Sequence, residues 1–181
     1  MEFKQTGFQG LVEIQPQVWE DERGYFFESF QQEKFNAEGI NTQFVQANQS
    51  SSKKGVVRGL HLQLPPFEQA KLVRAISGTI LDIVVDLRQE SKTFGKHYKC
   101  LLDSKKHNML FVPRGFAHGF TALDDAVFNY ICDNVYNREK ESGIIWNDPD
   151  LAIDWETSTP LVSEKDQQLP TFEMFSKMHL G

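Results

Sequence analysis

TILDIVVDLR, residues 79–88, decides the fold. Leu81, Ile83, Val85 and Leu87 fall on one face of an extended chain, and Asp82, Asp86 and Arg88 on the other. That two-residue period belongs to a β-strand. The same short period recurs in HNMLFVP (107–113), AVFNYICDN (126–134) and GIIW (143–146). Turn residues punctuate the runs at Ser77-Gly78, Phe94-Gly95, Pro113-Arg114-Gly115 and Asp124-Asp125. Short strands at such spacing predict an all-β antiparallel sandwich or barrel. A double-stranded β-helix, or jelly roll, is the best architecture, because it limits the exposed edges that many short strands create.

Helical signals are few. In SFQQEKFNAEG (29–39), Ser29 with Gln32 three residues on reads as a capping box, and Gly39 as the stop. NREKES (137–142) predicts a short helical turn, and TFEMFSKM (171–178) another at the C-terminal side. These are peripheral helices around a β core.

The 181 residues suffice for one domain with a sizeable core, and no linker or repeat divides residues 1–181. Fifteen Phe point to an aromatic-rich interior or an aromatic-lined pocket. A net charge of −6 argues against a nucleic-acid surface, which needs a basic face. No stretch approaches the roughly 18 apolar residues of a membrane helix, and MEFKQTGFQG lacks the basic-then-apolar pattern of a secretion signal. Cys100 and Cys132 read as free thiols in a reducing cytoplasm.

Chemistry concentrates in two stretches. VVRGLHLQ (56–63) places Arg58, Gly59 and His61 inside a strand-like run. In a regular strand Arg58 and His61 point to opposite faces, but a bulge at Gly59 turns both toward one cavity. The alternative is a solvated Arg and a hydrogen-bonded core His. In FVPRGFAHGF (111–120), Phe116, His118 and Phe120 share one parity, so His118 is either packed or at the rim of an apolar pocket. The spacing from Pro113 to His118 resembles the second motif of the metal-binding cupins. Their first motif would fall on His61-Leu62-Gln63 with Glu68 beyond. Gln63 stands where a second His ligand belongs, which argues against a metal. Without one, His61 is a candidate general base. It needs a carboxylate to fix its other nitrogen, and Asp166 in the loop-like VSEKDQQLP (162–170) is a candidate. Tyr130 is either an amphipathic packing residue or a proton donor, and Tyr136 lies near a strand end. Lys71 interrupts an apolar run, either as edge protection or as an inward charge held for a ligand. No GxGxxG, GxxxxGK[ST], HExxH or GxSxG occurs, so nicotinamide, ATP, zinc-protease and serine-hydrolase chemistries gain no support.

Together these stretches resemble the dTDP-4-dehydrorhamnose 3,5-epimerase family. The likeness runs through DERGYFFESF (21–30), FVQANQS (44–50), GVVRGLHLQ (55–63), residues 69–95, FVPRGFAHGF (111–120), NYICDNVY (129–136), residues 141–155 and SEKD (163–166). The resemblance implies a cofactor-free, metal-free, cupin-like jelly-roll homodimer acting on a dTDP-sugar. It implies His61 as base, Asp166 as its orienting partner, Tyr130 as proton donor and Lys71 as stabiliser of an oxyanion. Tyr136 would stack on the base of the nucleotide. Arg23, Phe26, Glu28, Gln46, Asn48, Arg58, His118, Glu141 and Lys165 would contact diphosphate and sugar, with the segment around Arg23 reaching in from the neighbouring subunit. Ala47, Gln49 and Ser51 stand where relatives carry an acid, a His and a basic residue, and Leu62 where they carry an aromatic. Other readings are a mono-epimerase or ketoisomerase on a related nucleotide sugar, and a non-catalytic sugar-nucleotide-binding jelly roll.

Overall fold

The computed structural model describes residues 1–180. Fourteen strands and a few short helices follow one another along the chain. The first group is β1 (Glu2–Gln5), β2 (Val12–Gln15), β3 (Val18–Asp21), β4 (Gly24–Phe27), α1 (Gln32–Ala37) and β5 (Gln46–Ser52). Then come β6 (Val56–Gln63), β7 (Lys71–Ser77), β8 (Thr79–Asp86), β9 (His97–Asp103), β10 (Met109–Val112), β11 (Phe116–Ala122) and β12 (Ala126–Cys132). A 3₁₀ turn (Arg138–Lys140), β13 (Glu141–Gly143), β14 (Leu161–Val162), α2 (Glu164–Gln167) and α3 (Phe172–His179) complete it.

One sheet has the order β1-β2-β10-β7-β12-β5. The other runs β13-β6-β11-β8-β9, with β14 beside β6. Every pairing is antiparallel except β14 with β6. The sheets face each other as the expected jelly roll. Val73 and Ala75 of β7 and Phe128 of β12 meet Ile80 and Val84 of β8 and Phe120 of β11 between them. The outer face of the second sheet, with Leu81, Ile83 and Val85, is covered by Ile144, Leu151, Trp155 and Phe175 from the C-terminal segment. Phe35 of α1 and Ile40 cover Val12, Ile14 and Leu72 on the outer face of the first.

β8 departs from the simple alternation. The face carrying Asp82 and Asp86 is the inner face of the sandwich, not a wet one, and both carboxylates are fully buried. The strand is central and covered on both sides, so its acids survive only because each has partners. Asp86 accepts hydrogen bonds from Arg88 Nε (2.8 Å) and Nη2 (2.7 Å), Ser91 Oγ (2.6 Å) and Thr93 Oγ1 (2.6 Å). Burial pushes its carboxyl up, but these donors outweigh burial and bring it down to about 2.

The helices fall near their expected places with different ends. α1 is capped by the Gln31 side chain, which accepts from Lys34 N, rather than by Ser29. The helix starts two residues later than the capping-box spacing implies, because residues 28–30 are still leaving the β3–β4 hairpin. Thr171 caps α3. α2 lies inside the stretch read as a loop, since a single turn is too short to show a helical period.

Candidate active site

β6 carries the decisive irregularity. Its register against β11 pairs His61 with His118 and Arg58 with Phe120, so three steps on β6 match two on β11. That is a bulge, and it falls at Gly59. Gly59 has φ of 126°, and a Cβ there would lie 2.5 Å from the Gly119 Cα. Only glycine fits the crossing. The extra residue turns Arg58 and His61 to the same side, and both line one cavity of about 210 Å³ between the open ends of the two sheets. His118, Lys71, Tyr130, Tyr136 and Glu141 line it too.

The second sheet supplies a wall of imidazoles. His61 Nε2 lies 2.7 Å from Asp166 Oδ1. Gly59 N donates to Asp166 Oδ2 at 3.3 Å, so both oxygens of this buried carboxylate are engaged. Burial pushes the Asp166 carboxyl up, but the bonds from His61, Gly59 and Ser163 leave it below the usual carboxylate range. α2 delivers Asp166. Ser163 caps that helix by accepting from Asp166 N at 3.1 Å, and β14 pins the preceding residues to Val56 and Val57. The neighbouring ring repeats the arrangement, with His118 Nε2 2.8 Å from Asp82 Oδ2. Desolvation holds His118 below the ordinary histidine range, against the pull of Asp82.

The first sheet supplies the facing wall. Tyr130 shares the inner face of β12 with Phe128, and burial pushes its phenol up. Lys71 opens β7, with its ammonium 5.9 Å from the centre of the Tyr130 ring. Desolvation holds that ammonium below the usual lysine range. Lys71 is therefore an inward charge rather than edge protection.

At the mouth, Tyr136 is half exposed and donates from its hydroxyl to Glu141 Oε2 at 2.7 Å. Lys165 Nζ lies 2.6 Å from the same oxygen. Gln46 Oε1 accepts from Tyr136 N at 3.0 Å, and Gln46 Nε2 donates to Asn48 Oδ1 at 3.1 Å. Gln46 and Asn48 share a face of β5 with Ser50, which lines the cavity. Arg58 donates from Nε to Ser52 Oγ at 3.1 Å.

Three expected residues stand elsewhere. Arg23 turns the β3–β4 hairpin and pairs with Asp21 at 2.5 Å, Phe26 is 70% exposed, and Glu28 pairs with Lys34 at 2.8 Å. None lines the cavity of its own chain. The departing positions Ala47, Gln49 and Ser51 alternate to the exposed side of β5, away from the cavity, whereas Leu62 lines it. Glu68, the possible cupin ligand, lines a neighbouring cavity rather than the one with His61 and His118. Among the described residues, no group of three or more His, Cys, Asp or Glu is arranged to hold a metal ion. Asp82, Ser163 and Gln69 join the site without a sequence signal of their own.

A base oriented by a carboxylate, an ammonium and a phenol around one cleft can move protons on carbon next to a carbonyl. The profile of the dTDP-4-dehydrorhamnose 3,5-epimerase family matches residues 5–174. The dTDP-4-dehydrorhamnose 3,5-epimerase of Methanothermobacter thermautotrophicus is 45% identical over 169 residues, spanning 91% of each chain. The chain belongs to the dTDP-4-dehydrorhamnose 3,5-epimerase family. It is an isomerase, a carbohydrate epimerase. The crystal structure of the same-named Elizabethkingia anophelis enzyme matches this epimerase with a TM-score of 0.92 at 47% identity, over 96% of this chain and 97% of that one. The Legionella pneumophila dTDP-6-deoxy-D-glucose-3,5-epimerase, solved in complex with dTDP-4-keto-L-rhamnose, matches it with a TM-score of 0.93 at 38% identity, over 98% and 95% of the two chains.

Proposed function

We propose that residues 1–181 work as one epimerase domain that converts dTDP-4-dehydro-6-deoxy-D-glucose to dTDP-4-dehydro-L-rhamnose without a cofactor. The C4 ketone acidifies the hydrogens at C3 and C5. Asp166 accepts from His61 Nε2, which leaves Nδ1 unprotonated and free to take a proton from carbon. The electron pair moves to the C4 oxygen, where the Lys71 ammonium stabilises the enolate. Such a donor is worth about 10²–10³ in rate, and the general base about 10²–10⁴. Tyr130 returns a proton from the other side and inverts the centre. A second cycle at the other α-carbon completes the reaction. The observation that carries the reading is the opposition of His61, on one wall, to Tyr130 and Lys71, on the other, across a single cleft.

Arg58 and Lys165 take the diphosphate, as charge-assisted donors do, and Tyr136 stacks on the thymine at the open mouth. Gln46, Asn48, Glu141 and His118 hold the remaining polar groups. The enzyme works as a homodimer in which a second copy contributes the hairpin bearing Arg23, Phe26 and Glu28. Support comes from that hairpin's being a two-stranded sheet of its own, outside the two large sheets, with Trp19, Tyr25 and Phe26 exposed. The two buried free thiols suit a reducing cytoplasm. Incubation with the 4-keto sugar nucleotide in D2O tests the assignment. Deuterium is expected at both C3 and C5 of the product, and label at one carbon alone would replace this reading with a mono-epimerase.

A further inference from the structure

The cleft between the two sheets suits an anion, yet it carries an acid. Arg58 and Lys71 bring positive charge to the cavity, and Glu141 is the only acid among the described residues that line it. Glu141 opens β13, whose pairing sets it opposite Gln63 of β6. Its Oε2 accepts from the Tyr136 hydroxyl at 2.7 Å and lies 2.6 Å from Lys165 Nζ. Burial pushes the Glu141 carboxyl up, but Lys165 and Tyr136 outweigh burial and leave it below the usual carboxylate range. Glu141 is therefore ionised at neutral pH, although only 19% of its side chain is exposed.

Such a carboxylate lowers the affinity of the cleft for any anion. Lys165 is 61% exposed, so its pair with Glu141 is a weak one that a better anion displaces. Once a diphosphate takes Lys165, Glu141 loses a partner and stands beside new negative charge. A sheltered carboxylate left short of donors is costly. The cost is relieved where the ligand itself brings a donor to Oε2. A sugar nucleotide does so, because its hydroxyls follow directly on the diphosphate. A bare nucleoside diphosphate has no such hydroxyl. Its terminal phosphate also ionises a second time near neutral pH, which the sugar ester prevents.

We propose that Glu141 sets the choice between a sugar nucleotide and the bare nucleotide, by repelling the ligand that lacks a hydroxyl to replace Lys165 on its carboxylate. An unfavourable contact with the wrong ligand is paired with a favourable one with the right ligand, and specificity is the difference between them. The cleft can then keep its cations for the diphosphate without being blocked by nucleotide that carries no sugar. In the free enzyme Glu141 holds the place of that diphosphate, with Lys165 and Tyr136 gathered on one oxygen. This inference rests on the reading that Arg58 and Lys165 take the diphosphate of a dTDP-sugar.

The test is isothermal titration of wild type and Glu141→Gln with two probes, dTDP and dTDP-glucose, with thermal unfolding as a control. dTDP-glucose carries a hydroxyl at C4 in place of the ketone, so it binds without turnover. Like charges a few ångströms apart at a partly sheltered mouth change binding by about tenfold, so the variant is expected to bind dTDP about tenfold more tightly than wild type. Its affinity for dTDP-glucose is expected to stay within about threefold, so the preference for the sugar nucleotide narrows by at least about threefold. Glu141→Ala is expected to show the same gain for dTDP, and it carries the test if Glu141→Gln does not fold. A gain for dTDP below threefold, weaker binding of dTDP, or an equal gain for both probes would overturn the role of Glu141 and leave the epimerase reading standing. If wild type binds neither probe, the dTDP-sugar reading itself fails and this inference falls with it.

Discussion

Asp166→Asn probes the orientation of His61 directly. The native carboxylate accepts on both oxygens, from His61 Nε2 at 2.7 Å and from Gly59 N at 3.3 Å. An amide of the same shape cannot do both. With its NH2 toward Gly59, two donors meet. With its NH2 toward His61, the amide donates to Nε2 and drives the ring proton to Nδ1, where the substrate needs a lone pair. Either orientation forfeits one charge-assisted bond, worth about 1.5–3 kcal/mol, which is roughly 10- to 150-fold in rate. The wrong tautomer adds to that loss, so kcat for the doubly inverted product should fall at least about a hundredfold. KM should stay within threefold, because Asp166 lies behind the ring, outside the lining of the cavity. A loss of 1–3 kcal/mol corresponds to a drop of roughly 2–12 °C in Tm for a chain of this size. Steady-state kinetics on folded variant, with calorimetry beside them, decide the matter. A kcat within threefold of wild type, or a change confined to KM, would refute the account of His61 as an aspartate-oriented base.

Tyr130→Phe removes the phenolic donor and leaves the base. Label from D2O should still enter the substrate while product formation falls about 10²–10⁴-fold, and equal losses of both would count against Tyr130 as donor. Gly59→Ala places a methyl 2.5 Å from the Gly119 Cα at a φ of 126°, so denaturant unfolding should show a loss of at least about 3 kcal/mol. For Asp86 the native carboxyl is depressed to about 2 from 3.8. Its charge-linked stability, about 2 kcal/mol, is therefore present above pH 4 and lost as pH falls toward 2. Asp86→Asn should accordingly destabilise the protein by about 2 kcal/mol more at pH 6 than at pH 2, measured by urea unfolding at each pH, and an equal penalty at both would break the assignment.

Much of the fold is legible because alternation is a local property. β8, β10, β11 and β12 announce themselves in their own residues, and glycines at 78, 95 and 115 end runs where a positive φ is needed. The bulge at Gly59 is legible for the same reason. What alternation cannot tell is which face is wet. Asp82 and Asp86 read as a polar face, yet the jelly roll turns that face inward, and their partners His118 and Ser91 come from other elements. The family likeness names His61, Asp166, Tyr130 and Lys71, and these four do converge. The likeness also names Arg23, Phe26 and Glu28, and these three stand apart from the cavity of their own chain. α2 escapes detection since one turn of helix has no period to display.

α2 has a last implication. Lys165, which touches Glu141 at the mouth, and Asp166, which holds the base, are joined by one peptide bond. In the roles proposed for them, recognition of the nucleotide and the speed of the chemistry share a single hinge point in the chain. Divergence toward a new leaving nucleotide, if it tilts that turn, drags turnover along with it. In such a lineage, changes of specificity should arrive together with compensating changes near residue 163.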